Sequence, residues 1–144
     1  MLTTVFENLF VAVDNSEQSD RAVQMAAALA KLSGGRVKVF HVRETLKVVG
    51  KGAGTYELEE ADDVSHLVAK EVAVFEEAGV PVTSEVRHAR LGHAAAEIIN
   101  AAREEDASVI VIGSRGLGEV EALVYGSTAY KVLHLADRPV LVAR

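Results

Sequence analysis

The chain has no cysteine and no tryptophan, and it has only two prolines, three tyrosines and four phenylalanines. Without cysteine it can form no disulfide, no thiolate metal site and no cysteine nucleophile. Apolar residues still make up 49% of the sequence. The core must therefore be built from alanine, valine, isoleucine and leucine rather than from aromatic side chains.

Long apolar runs and a basic surface are also missing. No apolar run approaches the length of a membrane span, and the first residues lack the basic and apolar regions of a signal peptide. The 15 basic and 21 acidic side chains give a net charge of −6, which argues against a broad nucleic-acid-binding surface. We therefore expect a soluble, cytoplasmic protein, and its 144 residues predict a single domain spanning 1–144.

Short apolar segments and helical segments alternate along the chain. This alternation predicts an α/β fold in which parallel strands with right-handed crossovers form one open, doubly wound sheet with helices on both faces. Residues 43–57 contain three glycines and are predicted as a mobile loop. The strands are predicted near 9–13, 37–42, 82–87, 108–112 and 139–143, and the helices near 17–33, 57–78, 94–104 and 127–135.

A glycine-spaced segment, residues 113–128, connects the fourth predicted strand to the last helix. It has Gly113, then two residues, Gly116, then nine residues, Gly126 and Ser127. Glycines allow backbone N–H groups to approach an anion, and the first N–H groups of a helix have no partner within the helix. The segment therefore favours phosphate binding. It is neither a P-loop, because no lysine precedes the serine, nor the Gly-x-Gly-x-x-Gly fingerprint.

This spacing resembles the nucleotide-binding signature of the universal stress protein family, in its ATP-binding branch. Residues 11–16 are similar to that family's first strand and acidic turn, 41–42 to the end of its second strand, and 138–142 to its last strand. The resemblance implies a five-stranded parallel sheet of order 3-2-1-4-5, with Asp14 opposite the glycine segment at the switch point where ligands bind. It also implies ATP with Mg²⁺ as the ligand and a sensing or signalling role in the stress response.

The residues expected to contact the nucleotide come from four segments. By resemblance, Asp14 would contact the adenosine or a metal on the phosphates, Val42 would cap the adenine or bond to it through its backbone, and Gly92 would lie near the ribose or phosphates. The full set is Ala12, Val13, Asp14, Asn15 and Ser16; Val42; Gly92; and Gly113, Ser114, Arg115, Gly116, Gly118, Gly126, Ser127 and Thr128.

The same residues also suit ordinary structural roles. The glycines suit a turn and a helix start, the Asp14 carboxylate suits a turn or a helix cap, and Val42 suits the core at a strand end. The five histidines are scattered without His-x-x-x-His spacing, so no site is predicted in which protein ligands alone hold a metal. Asp14 is the residue placed to approach a Mg²⁺ ion carried by the nucleotide.

The absence of lysine from the glycine segment argues against catalysis, because phosphoryl transfer needs a charge-neutralising side chain and a fixed metal. No catalytic residue is predicted, and at most slow ATP hydrolysis is expected. Two alternatives to an ATP sensor stay open. One is an AMP- or cyclic-AMP-binding module, and the other is a nucleotide-independent protein that acts through dimerisation and partner contacts.

The last predicted strand favours self-association. Pro139, Val140, Leu141 and Val142 would form an apolar edge of the sheet, where unpaired N–H and C=O groups can pair with a second copy. The resemblance also points to a homodimer. We therefore expect the last strand to be a dimer interface.

Overall fold

Strands and helices alternate along the chain in a computed structural model that describes residues 6–114 and 127–144. The strands in these ranges are β1 (Asn8–Ala12), β2 (Arg36–Val48), β3 (Gly54–Glu57), β4 (Val82–Arg90), β5 (Val109–Gly113) and β6 (Val140–Ala143). The helices are α1 (Glu17–Ser33), α2 (Ala61–Glu77), α3 (Ala94–Glu104) and α4 (Ser127–Leu135).

The strands of the described chain form one sheet. Five of them run parallel in the order β4-β2-β1-β5-β6. This is the predicted order 3-2-1-4-5, because β4, β5 and β6 are the third, fourth and fifth of the predicted strands. The doubly wound α/β fold and the order of its parallel strands are thus confirmed.

The prediction of a loop at residues 43–57 is wrong. Strand β2 continues to Val48 and pairs with the antiparallel strand β3, which adds a sixth strand to the sheet. Polar and apolar residues alternate from Thr45 to Val48, as they do in a half-exposed strand. Gly50 and Gly52 have φ values of 94° and 79° and form the turn, so these glycines belong to a hairpin.

Strand β3 lies on the edge of β2 that also carries β1. The carbonyl of Glu44 accepts from Leu58 N–H at 3.2 Å, whereas the carbonyl of Thr45 accepts from Leu91 N–H, just after β4, at 2.8 Å. Consecutive carbonyls of a strand point to opposite edges. Since β4 occupies the edge opposite β1, β3 lies on the β1 side, beyond the carboxyl end of β1.

Side chains alternate between the two faces of the sheet and form a core on each. Leu9, Val11 and Val13 point to the face covered by α1 and α2, where Phe75 is fully buried. Phe10 points to the face covered by α3 and α4, and its ring lies 5.0 Å from that of Phe40. Both faces of β1 are therefore covered, as expected for the central strand of a doubly wound sheet.

A buried carboxylate lies where α2 packs against α1. Glu71 is 1% exposed, and Lys70 Nζ lies 3.1 Å from its Oε1 and 3.0 Å from Asp20 Oδ1. The lysine contact is within ion-pair distance, but Glu71 Oε1 accepts no well-aligned hydrogen bond from the described residues. Burial, together with a hydrogen bond to Asp20, raises the pKa of Glu71 to about 7; the same bond lowers the pKa of Asp20.

The raised pKa of Glu71 predicts that stability falls as pH rises from about 4.5 to about 7. In this window the folded protein holds a proton at Glu71 that the unfolded chain releases, so the free energy of unfolding decreases by about 1–3 kcal/mol and then levels off. Glu71→Gln keeps a donor for Asp20 and removes the titration. We expect it to flatten this decrease and to be more stable than the parent above pH 7.

The measurement is urea unfolding from about pH 5 to about pH 8. Glu76→Gln, an exposed position on the same helix, is the control and should follow the parent. Parallel curves for the parent and Glu71→Gln would show that Glu71 does not titrate differently in the two states.

Candidate functional site

The carboxyl ends of β1, β2 and β5 meet at one edge of the sheet. Ala12 pairs with Phe40 on one side and with Ile112 on the other. Helix α1, which follows β1, and helix α4, which follows β5, contribute to the cores on opposite faces of the sheet, so the junction of these two strands is its topological switch point. A crevice at such a point is where open α/β sheets bind ligands. The strand order thus brings the end of β1 beside Gly113, as predicted.

Asp14 organises the turn from β1 into α1. Its Oδ1 accepts from Ser16 N–H at 2.8 Å, and its own N–H donates to Ser19 Oγ at 2.9 Å. Ser16 is the N-cap of α1, and its Oγ accepts from Ser19 N–H at 3.1 Å. Asp14 therefore has the structural role of a turn carboxylate. Any contact with a ligand would be additional to that role.

The other predicted residues of this turn differ in what they can offer a ligand. Ala12 and Val13 are buried, and their side chains pack into the cores on opposite faces of the sheet. Asn15 is exposed. Contacts from Ala12 and Val13 would therefore use backbone groups or the sides of small apolar side chains.

Gly113 is required by packing inside the protein. A Cβ atom at this position would lie 2.7 Å from the carbonyl carbon of Gln18 and 2.9 Å from Ser19 N, closer than real Cβ atoms come to backbone. The end of β5 thus packs directly on the first turn of α1. Ser114 is buried and its N–H donates to Ala143 O at 2.7 Å, so a ligand contact from Ser114 rests on its hydroxyl.

The rest of the glycine segment is only partly covered by the structure. Arg115, Gly116, Gly118 and Gly126 lie outside the described residues. Helix α4 begins at Ser127, and Thr128, in its first turn, is half-buried. The phosphate loop therefore stays a prediction from the sequence.

Gly92 joins three elements near this edge. Its φ of 89° is in the left-handed region, which favours glycine. Its N–H donates to Glu44 Oε2 at 2.7 Å, and its carbonyl accepts from Lys131 Nζ at 3.2 Å. Lys131 is not among the residues predicted from the sequence, although its position four residues after Ser127 places it one helical turn into α4.

Val42 lies on the edge of β2 that pairs with β1 and β3, in the stretch between these two strands. The last backbone bond from the β1 side joins Val13 N–H to Phe40 O at 2.8 Å, and the bond nearest from the β3 side joins Leu58 N–H to Glu44 O at 3.2 Å. Strand alternation directs the N–H and C=O of Val42 to the same edge, between these bonds. A backbone donor and acceptor thus lie side by side at this edge of the sheet.

The described parts of the chain contain no group of three or more histidine, cysteine, aspartate or glutamate residues placed to hold a metal ion. In the same parts of the structure, no helix combines the length and the apolar character needed to cross a membrane.

The sequence of this chain matches one family of known proteins over nearly its whole length. The model of the family described as "Universal stress protein family" matches residues 6–144. The chain belongs to the universal stress protein family. Among the relatives of this universal stress protein is YxiE of Bacillus subtilis, which is 33% identical over 149 residues, covering 97% of this chain and 100% of the relative.

Solved structures of universal stress proteins have the same fold. One from Archaeoglobus fulgidus, in complex with dAMP, is 25% identical, with a TM-score of 0.70 over 97% of this chain and 99% of the other. A universal stress protein in complex with cAMP is 18% identical, with a TM-score of 0.70 over 96% of each chain; this likeness concerns the fold alone.

The packing at Gly113 predicts that Gly113→Ala destabilises the protein without any ligand. The added Cβ meets backbone of α1, which cannot rotate away, so we expect a loss of about 1–3 kcal/mol in the free energy of unfolding. Gly54→Ala is the matched control, because its Cβ would come no nearer than 3.6 Å to Tyr56. Urea unfolding of both variants is the measurement. Equal stabilities would contradict the packing role.

Proposed function

We propose that this universal stress protein binds ATP with Mg²⁺ in the crevice between β1 and β5 and acts as a nucleotide-dependent sensor in the stress response. The observation that carries the proposal is the backbone donor and acceptor of Val42, which lie on β2 beside the switch point and are paired by none of the described strands. Families of this fold class recognise nucleotides at such a point, and the complex of the Archaeoglobus fulgidus relative with dAMP supports an adenine ligand.

The adenine edge complements the backbone of Val42. The exocyclic amino group at N6 donates and the ring nitrogen N1 accepts, so together they match a C=O and an N–H of one residue. Ala12 and Val13 would line the adenosine, and Asp14 would contact the adenosine or a metal on the phosphates. In this orientation the phosphates would extend toward Ser114 and the glycine segment, with Gly92 near the ribose or phosphates.

The residues present suit a nucleotide-bound Mg²⁺ ion. Magnesium in nucleotide sites is held by one or two carboxylates together with substrate phosphates, and Asp14 supplies one half-buried carboxylate at the crevice. Bound there, Mg²⁺ would neutralise phosphate charge. The Asp14 carboxylate would orient the ion while its Oδ1 continues to hold the turn through Ser16 N–H.

Sensing is a better match to this site than turnover. The glycine segment contains no lysine, and Lys131 Nζ is engaged by the Gly92 carbonyl. No catalytic residue is therefore proposed, and ATP hydrolysis would be slow at most, since phosphoryl transfer depends on charge neutralisation at the transferred group.

A monophosphate ligand is the second candidate. The Archaeoglobus fulgidus relative solved with dAMP carries an adenine nucleotide with one phosphate, and the Val42 edge would recognise the base of AMP, cAMP or ATP. The sequence favours a polyphosphate through its glycine segment. Because ATP, AMP and cAMP share the same base, all three should bind. Their relative affinities distinguish the two candidates.

The first experiment measures the nucleotide content of the purified protein and its affinity for Mg-ATP, AMP and cAMP by calorimetry. We expect adenine nucleotide in the parent, with ATP bound most tightly, and a loss of about tenfold or more in ATP affinity for Gly116→Val, since a side chain would block phosphate approach. Tightest binding of AMP or cAMP would support the second candidate.

Thermal unfolding and circular dichroism check that Gly116→Val is folded. An empty parent that binds none of the three nucleotides would overturn the proposal and leave a protein that acts through partner contacts.

We also propose that two copies associate through β6, the last strand on its side of the described sheet. Val140, Leu141 and Val142 are half-buried, and the carbonyl of Pro139 already pairs with Ile110 N–H on the β5 side at 2.9 Å. Beside this strand, α4 exposes large apolar side chains. These are Tyr130, Leu133 and Leu135. An apolar edge of this kind is commonly covered by a second copy.

Leu141→Lys is expected to shift the protein toward monomer on a sizing column, because a charged side chain would have to be buried between two copies. Leu32→Lys, at a position 87% exposed on α1, is the matched control and should elute as the parent does. A folded Leu141→Lys variant that still elutes as a dimer would place the interface elsewhere.

A further inference from the structure

His41 connects the end of β1 to the segment between β3 and α2. It is 4% exposed. Its Nδ1 lies 2.7 Å from the carbonyl oxygen of Val13, and its Nε2 lies 2.9 and 3.1 Å from the two carboxylate oxygens of Glu59. We call this arrangement of the His41 ring, the Glu59 carboxylate and the Val13 carbonyl the histidine clasp.

Arg43 holds the same segment from the other side of Val42. Its Nη2 and Nε donate to the carbonyl oxygen of Glu59 at 2.8 and 3.2 Å, and its Nε lies 3.3 Å from Glu57 Oε2. The two residues that flank Val42 in sequence thus fix the 57–59 segment to β2. The position of this segment sets the separation between the ends of β1 and β3, which is the interval that exposes the Val42 backbone.

A neutral histidine and an ionised glutamate together carry one proton too few to form both contacts of the histidine clasp. A backbone carbonyl and a carboxylate both accept hydrogen bonds and have no proton to give. A ring that bridges them must donate from both nitrogens, unless the carboxyl group itself carries the proton. When that proton leaves, Nε2 and Glu59 become two acceptors facing each other, and the contact turns from attraction to repulsion.

We propose that His41 and Glu59 are positioning residues for nucleotide binding, and that the proton they share keeps the Val42 interval open to the adenine base. The inference rests on the proposed nucleotide site and adds a regulation of it. With the proton present, the 57–59 segment is held in place and the base meets a preformed edge. Without it, the segment is still held by Arg43 and by the backbone bond from Leu58 to Glu44 but no longer by the clasp, and a smaller fraction of molecules has the binding geometry, so the apparent affinity falls by that fraction.

Other charged groups lie on the elements next to the clasp. On its own strand is Arg43, and one residue beyond Val13 is Asp14. From β4, His88 Nε2 lies 3.7 Å from Glu57 Oε1. On the same face of the sheet, where α1 and α2 pack, Glu71 has a pKa raised to about 7 by burial. Among the charged residues of these elements are Asp14, Asp20, Arg43, Glu57, Glu59, Glu60, Lys70, Glu71 and His88. A pH profile of the parent alone would therefore not identify the clasp.

Substitutions at Glu59 separate the clasp from these groups. Glu59→Gln supplies an amide that donates to a neutral Nε2 or accepts from a protonated one, so it closes the clasp at any pH. Glu59→Ala removes the contact. Glu60→Gln is the matched control, because Glu60 is exposed and its side chain makes no capping bond to α2.

The experiment measures the Kd of each full-length variant for Mg-ATP between about pH 6 and about pH 9, across the range in which histidine titrates. The readout is the ratio of variant to parent Kd at each pH, which cancels the titration of the nucleotide and of Glu71. We expect the parent affinity to fall about tenfold over the range, Glu59→Gln to change little, and Glu59→Ala to bind weakly throughout, while Glu60→Gln follows the parent.

The outcomes distinguish this inference from the proposed function. If the parent binds Mg-ATP and the ratio of the Glu59→Gln Kd to the parent Kd is constant over pH, the role of the shared proton is overturned. The proposed nucleotide site is not affected by that result. A parent that binds no adenine nucleotide at any pH overturns the proposed function and this inference with it. Protection of the 57–59 amides against hydrogen exchange in the nucleotide-free protein, taken relative to the intrinsic exchange rate at each pH, supports the clasp if it falls with pH in the parent and stays constant in Glu59→Gln.

Discussion

Backbone hydrogen bonding by β2 determines where the crevice lies. This strand has 13 residues and pairs with β4 on one edge and with both β1 and β3 on the other. Because β1 is short, the described strands fill the shared edge at its start and at its end but not around Val42. The candidate site thus follows from unequal strand lengths.

The order of the parallel strands could be predicted because short apolar segments alternate with helices and the resemblance fixed their arrangement. The adjacency of Asp14 and Gly113 followed from that order. Strand β3 was missed because its three neighbouring glycines look like breakers, and the pairing of Leu46 with Tyr56 is visible only once the register is known. His41 and Glu59 are 18 positions apart in the sequence, so no local sequence pattern predicts their contact.

Glycine illustrates how packing and binding can produce the same sequence pattern. Gly92 is explained by its left-handed backbone, and Gly113 by its closeness to α1. Neither requires a ligand, and the N–H of Ser114 belongs to the sheet. The interpretation of the crevice as a nucleotide site therefore depends more on the backbone of Val42, the carboxylate of Asp14 and membership of the family than on glycine spacing.

The contact of Gly113 with the first turn of α1 also has a mechanical consequence. Side chains between two elements can change rotamer and absorb a small displacement, but here backbone meets backbone across the width of an absent Cβ. Close-packed backbone has no such freedom. Side-chain rotation therefore cannot absorb a displacement at the end of β5, and the first turn of α1 would have to move with it.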